Sequence, residues 1–316
     1  MADNLLDPLF LFFLVGFVGG LLKSDLKLPD AVYQLLSTYL LLAIGLKGGI
    51  QLAQANLSHL AGPLLATLAL GLTIPVIAYA VSRKLGRLNR ADSASLAAHY
   101  GSASAVTFAA ALAILKRADI EHEGFLPVLL VTLEIPAILM AIFIFRLGAP
   151  KASGSYGGIV RELLLNRSVF LLIAGMLVGA IAGPARFAPY EMLFVQAFKP
   201  VLAFFILEMG LVAAQRLPEI RQSGLFIVLF ALLMPIAAGA LGGWLGLLSG
   251  LSAGGATILA TLAASASYIA APAAIRHAIP EANTGMSVAA ALGITFPFNL
   301  AFGIPLYAWW VERLAR

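Results

Sequence analysis

The charged residues of this chain fall in clusters, and between the clusters lie ten apolar runs bounded by charged residues, glycine or proline. They cover residues 8–22, 32–46, 60–82, 91–115 and 125–145, then 168–181, 192–212, 225–248, 256–275 and 285–310. A hydrocarbon core about 30 Å thick takes about 20 helical residues to cross, and only the first, second and sixth runs fall clearly short of that. With 61% hydrophobic and 11% charged residues in a chain of 316, the apolar surface is too large to hide inside a water-facing fold. The pattern predicts an all-α membrane protein of ten transmembrane helices, with the lipid bilayer as its solvent.

The chain has no cysteine, which excludes disulfides, thiolate metal sites and cysteine nucleophiles. Its net charge of +5 sits in loops, so it reads as membrane topology and not as a footprint for nucleic acid. Asp3 and Asp7 stand where a secretory signal would carry basic residues, so the first segment is expected to stay uncleaved. With the amino terminus outside, 13 of the 20 lysines and arginines face inward, among them Lys23, Lys27, Arg83, Lys84, Lys151 and Arg276. Lys47, Lys116, Arg117, Arg186, Lys199, Arg313 and Arg316 face outward. Both termini are therefore expected outside.

Residues 147–167 contain a Gly/Ser-rich stretch and read as a flexible cytoplasmic linker between two halves, 1–146 and 168–316. The halves echo each other at a near-constant offset. Gly20 pairs with Gly179, Pro29 with Pro189, Gly45 with Gly210, Pro75 with Pro235, Ser102 with Ser265, Ser104 with Ser267 and Pro136 with Pro297, at separations of 159 to 165. An odd count of five spans per half makes such a repeat inverted in the membrane.

Two of the runs are interrupted near their middles. Gly101, Ser102, Ser104 and Thr107 break the fourth about ten residues in, and Ser265, Ser267 and Pro272 break the ninth at a matching depth. At about 1.5 Å per residue, ten residues end near the bilayer midplane. Irregular backbone is tolerated there only inside protein or against a wet cavity. The breaks would expose half-helix N-termini to an anion, and carbonyls and hydroxyls to a sodium ion. The alternative is that these serines bond back to the preceding turn and let helices pack closely.

Glu134, in Leu-Glu-Ile-Pro, stands in the middle of an uncharged run, a default position for a cation ligand or proton carrier. The other reading is a structural carboxylate paired with His99 or a backbone amide. Thr295 matches Glu134 in the second half, and Asn299 adds a polar group nearby. Glu208 lies closer to a segment end and is expected to reach the interface, as are Arg276 and His277. The Gly-rich run 44–49 follows no strand and is no phosphate loop. No zincin helix, nucleophile elbow or Walker lysine is present, and Glu121, His122 and Glu123 read as a solvated turn.

At Ile44-Gly45-Leu46-Lys47-Gly48-Gly49, Gly101-Ser102-Ala103-Ser104 with Thr107, Glu134-Ile135-Pro136-Ala137 and Ser265-Ala266-Ser267-Tyr268-Ile269-Ala270-Ala271-Pro272, the chain resembles the bacterial sodium-dependent bicarbonate transporter family. Ile279-Pro280-Glu281-Ala282-Asn283 and Gly303-Ile304-Pro305 extend the likeness over nearly the whole chain. The resemblance implies ten helices in two inverted five-helix repeats, a core domain moving against a gate domain, and a homo-oligomer, often a trimer. It implies sodium-coupled uptake of bicarbonate across the inner (plasma) membrane, with the sodium and anion site formed by Gly101 to Thr107 and Ser265 to Pro272. In cyanobacterial members it also implies regulation by a small PII-like protein. This chain departs from their pattern at Tyr268, where they carry an acidic residue, at Ala105 and Val106, where they carry glycine and serine, and in its shorter linker. The architecture thus carries over better than the substrate or the partner.

The expectation is a sodium-coupled symporter of a small anion, bicarbonate first, with Na+ at Ser102, Ser104 and Glu134 and no organic cofactor. A cation/proton antiporter working through Glu134, and a membrane receptor or scaffold that moves nothing, stay open beside it.

Overall fold

The computed structural model describes residues 6–26, 28–55, 59–147 and 156–316. Asp3, Lys27, Lys151 and the Gly/Ser-rich part of the linker, 148–155, lie outside them. Among the described residues all regular structure is helical. In chain order the helices are α1 (Pro8–Leu21), α2 (Asp30–Gln54), α3 (Ala61–Lys84), α4 (Arg90–Gly101), α5 (Ala105–Arg117), α6 (Leu126–Leu147) and α7 (Tyr156–Leu165). Then follow α8 (Arg167–Phe187), α9 (Phe198–Gln215), α10 (Leu217–Gln222), α11 (Gly224–Leu248), α12 (Ala253–Ala263), α13 (Ala270–Ala278) and α14 (Thr284–Ala315).

Among the described residues eight helices are long and apolar enough to cross a membrane. They are α2, α3, α4 with α5, α6, α8, α9, α11 and α14. Two shorter apolar helices, α1 and α12, fall where the first and ninth runs were expected. The chain is therefore a multi-pass membrane protein.

The second run was expected to stop at Leu46, but α2 continues through Lys47 to Gln54. Lys47 did not end the helix because its ammonium rests over the Phe198 ring, 5.7 Å from the centroid, instead of leaving the protein. The sixth run extends past 181 to Phe187, with Gly183 at φ 64° bending it ahead of Pro184. Glu208 does not reach the interface. It is 7% exposed within α9 and accepts a bond from the Leu28 amide at 3.4 Å. The linker is in part helical, since α7 seals Ile159 and Leu163 against its neighbours.

The helices sort into two bundles, each drawing on both halves of the chain. In the first, α1 packs along α9 and α2 along α8. Both contacts are small-residue seams, on which helix backbones approach closely in lipid. Gly45 and Gly49 of α2 meet Gly175 and Gly179 of α8, so that a Cβ at Gly45 would lie 2.6 Å from the Leu172 carbonyl oxygen. Gly16 and Gly20 of α1 meet Gly210 and Ala214 of α9 in the same way. In the second bundle α3 packs on α4 and α6, and α11 on α12. Here the broken span Arg90–Arg117 is 89% buried over its most apolar stretch, against 28% for the span beginning at Arg167. The break is thus enclosed by protein, one of the two settings in which irregular backbone is tolerated at that depth.

Candidate functional site

The fourth run divides where its serines prefer caps to helix. Helix α4 ends at Gly101, whose missing side chain leaves room for Pro75 of α3. Ser102 follows in extended geometry, and Ser104 caps α5 by accepting from the Thr107 amide at 3.2 Å. The ninth run divides likewise between α12 and α13, where Ser267 accepts from the Ala271 amide at 3.3 Å. Pro272, in the first turn of α13, lacks an amide hydrogen that the helix would not use there.

The two breaks are bonded to each other. The Ser104 amide donates to Ser265 Oγ at 2.9 Å, and Ser265 Oγ in turn donates to the Leu262 carbonyl at 2.8 Å. From the other side the Ser267 amide donates to the His99 carbonyl at 2.8 Å. If the halves were strictly equivalent, that amide would donate to Ser102 Oγ, the counterpart of Ser265 Oγ. It does not, and Ser102 Oγ is left fully buried with no hydrogen-bond partner among the described residues.

Two more buried polar atoms at the crossing lack a well-formed hydrogen bond, His99 Nε2 and the Tyr268 hydroxyl. Tyr268 lies near Ser104 without bonding it within normal geometry. The His99 ring places Nδ1 2.7 Å from the Ser95 carbonyl. A carbonyl only accepts, so Nδ1 carries a proton, and in the neutral ring Nε2 presents a lone pair. Buried polar atoms without partners cost about 1–3 kcal/mol each, and three around one break mark a place built for something polar. The crossing can offer an anion two helix N-termini and two hydroxyls, and a cation one imidazole lone pair and nearby carbonyls. His99 was read in the sequence only as a partner for Glu134. Its place one turn before the break was the available signal.

Other expected site residues are occupied by the fold. Thr295 Oγ1 donates to the Ala231 carbonyl at 2.7 Å and pairs with the Tyr100 hydroxyl at 2.8 Å. Asn299 Nδ2 donates to the Ala264 carbonyl at 2.8 Å, satisfying one of the groups freed at the ninth break, and its Oδ1 accepts from Tyr307. Thr107 is buried in the first turn of α5. Glu134 is 4% exposed and accepts from Ser168 Oγ at 3.3 Å, which joins α6 to the first turn of α8. Its bonding partner is therefore on the α1, α2, α8, α9 bundle, and His99 bonds Ser95 instead.

On one side of the crossing a cavity of about 730 Å³ opens between the two bundles, lined by the ends of α2 and α5, the 119–124 loop and the start of α9. Below it lies a second space of about 10 Å³, bounded by Ser37 and Ile44 of α2, Phe205 of α9, Ala105 at the start of α5 and Ile269 just before α13. Ile44 borders both spaces, so the wide cavity ends one side chain away from the N-termini of the two half-helices.

No curated protein matches the chain. A family profile described as the Na+-dependent bicarbonate transporter superfamily matches residues 8–312, and the chain, an enclosed pair of broken helices in a multi-pass membrane protein, belongs to that superfamily of transporters.

Proposed function

We propose that this protein is a sodium-coupled secondary active symporter that carries bicarbonate across the inner membrane, with the anion held at the crossing of the two broken spans. The observation that carries the reading is the trio of enclosed, unpartnered polar atoms there, Ser102 Oγ, His99 Nε2 and the Tyr268 hydroxyl. Hydrogen carbonate is an anion with acceptor oxygens for the hydroxyls and helix N-termini, and one O–H donor for the His99 lone pair. Ten crossings in two inverted five-helix repeats, 1–146 and 168–316, are supported by the paired seams. Gly16 and Gly20 of α1 stand to Gly175 and Gly179 of α8 at a constant 159 residues, and each of these helices packs on a partner from the opposite half. Both termini then lie outside, and the 730 Å³ cavity opens outward. Access alternates as one bundle moves against the other.

The test is uptake of labelled bicarbonate by proteoliposomes with and without an inward sodium gradient. Accumulation that rises with the gradient is the expected result, and no accumulation by folded protein overturns the substrate. Glu134 favours a second reading, cation/proton exchange, because it is a buried carboxylate whose bonded partner is a neutral hydroxyl. Glu134→Gln separates the two. A symporter with Na+ at Glu134 loses sodium dependence of anion uptake, whereas an exchanger loses sodium-driven proton efflux without any anion present.

A further inference from the structure

Lys47 belongs to a Gly-rich run that the transport site does not use, and it stands alone among the charged side chains of α2 in facing deep into the wide cavity. The floor around it is Ile44, Gly48, Leu112 and Ala113. Its ammonium is held over the Phe198 ring, a contact that keeps the charge inside the cavity wall. Lys116 of α5 lies close enough for the two like charges to repel, and Lys199 of α9 borders the same space. Among the described residues none of these three lysines forms a salt bridge.

Four carboxylates, Asp119, Glu121, Glu123 and Glu191, line the same cavity, and among the described residues none of them is ion-paired with Lys47. Glu123 is turned onto the N-terminus of α12, accepting from the Ser252 amide at 2.6 Å and from its hydroxyl at 3.1 Å. Asp119, Glu121 and Glu191 are exposed, as are Lys116 and Lys199, and His122 faces the Glu123 carbonyl at 3.3 Å. The exposed charges of both signs offset one another and Glu123 is held by the N-terminus of α12, which leaves the half-buried Lys47 ammonium as the charge in the concave wall with no carboxylate paired to it, and such a charge attracts a mobile anion. A cavity of about 730 Å³ is far larger than a small oxyanion, so the anion held there keeps much of its water.

We infer that Lys47, with Lys116 across from it, forms an anion-capture site in this vestibule, distinct from the crossing site and separated from it by Ile44. The site takes small monovalent anions by charge and raises their concentration above the closed passage. That passage, at about 10 Å³, admits no more than about one water until the bundles shift. The inference rests on the reading of the protein as an anion carrier, with the vestibule on the side from which the anion enters.

Two measurements on the full chain test it. In proteoliposomes, Lys47→Met should raise KM for labelled bicarbonate by about five- to tenfold with the maximal rate kept within about twofold, and Lys47→Arg should restore KM. In purified protein, an impermeant sulfonated amine-reactive ester should label Lys47, read by mass spectrometry. Bicarbonate, nitrate and chloride should each slow that labelling while leaving Lys84, at the far end of α3, unchanged. The second measurement needs no transport. Protection by these anions in a protein that moves no bicarbonate sustains the capture site and overturns the substrate reading. Labelling of Lys47 that no anion slows, together with an unchanged KM in Lys47→Met, overturns the capture site.

Discussion

At the scale of single residues, the four serines of the two breaks differ in what their hydroxyls do. Ser104 caps α5, Ser267 accepts from the Ala271 amide in the first turn of α13, Ser265 bonds its own preceding turn while accepting from the Ser104 amide, and Ser102 is left over. Ser265→Ala should therefore leave a buried amide unpaired and destabilise the protein by about 1–3 kcal/mol in thermal unfolding. Ser102→Ala removes no hydrogen bond among the described residues. Since a buried hydroxyl without a partner costs about 1–3 kcal/mol, the change should raise stability by up to about that much while reducing uptake, and a Ser102→Ala protein that transports normally removes this hydroxyl from the site. The sequence placed all four serines at the breaks, yet could not say which would be unpartnered. That depends on the Ser267 amide choosing the His99 carbonyl, a contact between residues 168 positions apart. Glu208 was misread for a related reason: its distance from the segment end was legible, but the Leu28 amide that receives it inside the protein was not.

At the scale of elements, the seams of the first bundle explain why the internal offset drifts. The α1 and α8 glycines repeat at 159 residues, whereas Gly45 and Gly210, from α2 and α9, repeat at 165. Each seam pairs a helix of one half with a helix of the other, so an insertion between consecutive helices changes the offset without disturbing either contact. Backbone lies directly opposite these glycines. A Cβ at Gly49 collides with the Met176 carbonyl oxygen, and one at Gly210 with that of Phe13. Gly49→Ala and Gly210→Ala should each lower stability by about 1–3 kcal/mol, read as thermal unfolding in detergent, because backbone cannot rotate away as a side chain can. The same change at Gly158, which has open space around it, should be silent. Periodic glycines were visible in the sequence, but their partners were not, since each seam joins residues more than 100 positions apart.

For the whole molecule, ten apolar runs and two matched breaks are enough to specify a membrane protein with an enclosed polar crossing, while the division into two bundles becomes visible only when the chain is folded. That division makes a mechanical claim: uptake requires the bundles to slide past each other, and each bundle to stay intact. The chain has no cysteine, so introduced thiols can be read against a clean background. Ile44 and Ala109 lie on opposite bundles and border the same small space beside the half-helix N-termini. Tyr39 and Phe194 lie on one bundle, their rings stacked at 5.7 Å. Tethering Ile44→Cys to Ala109→Cys with a short, reducible thiol reagent should stop bicarbonate uptake, and reduction should restore it. Tethering Tyr39→Cys to Phe194→Cys should leave uptake largely unchanged, because no relative motion is asked of that pair. If the first tether left uptake intact, the passage past Ile44 could not depend on movement between the bundles. The 10 Å³ space would then have to open by side-chain rotation alone, which a gap that holds about one water makes hard to reconcile with an anion crossing it.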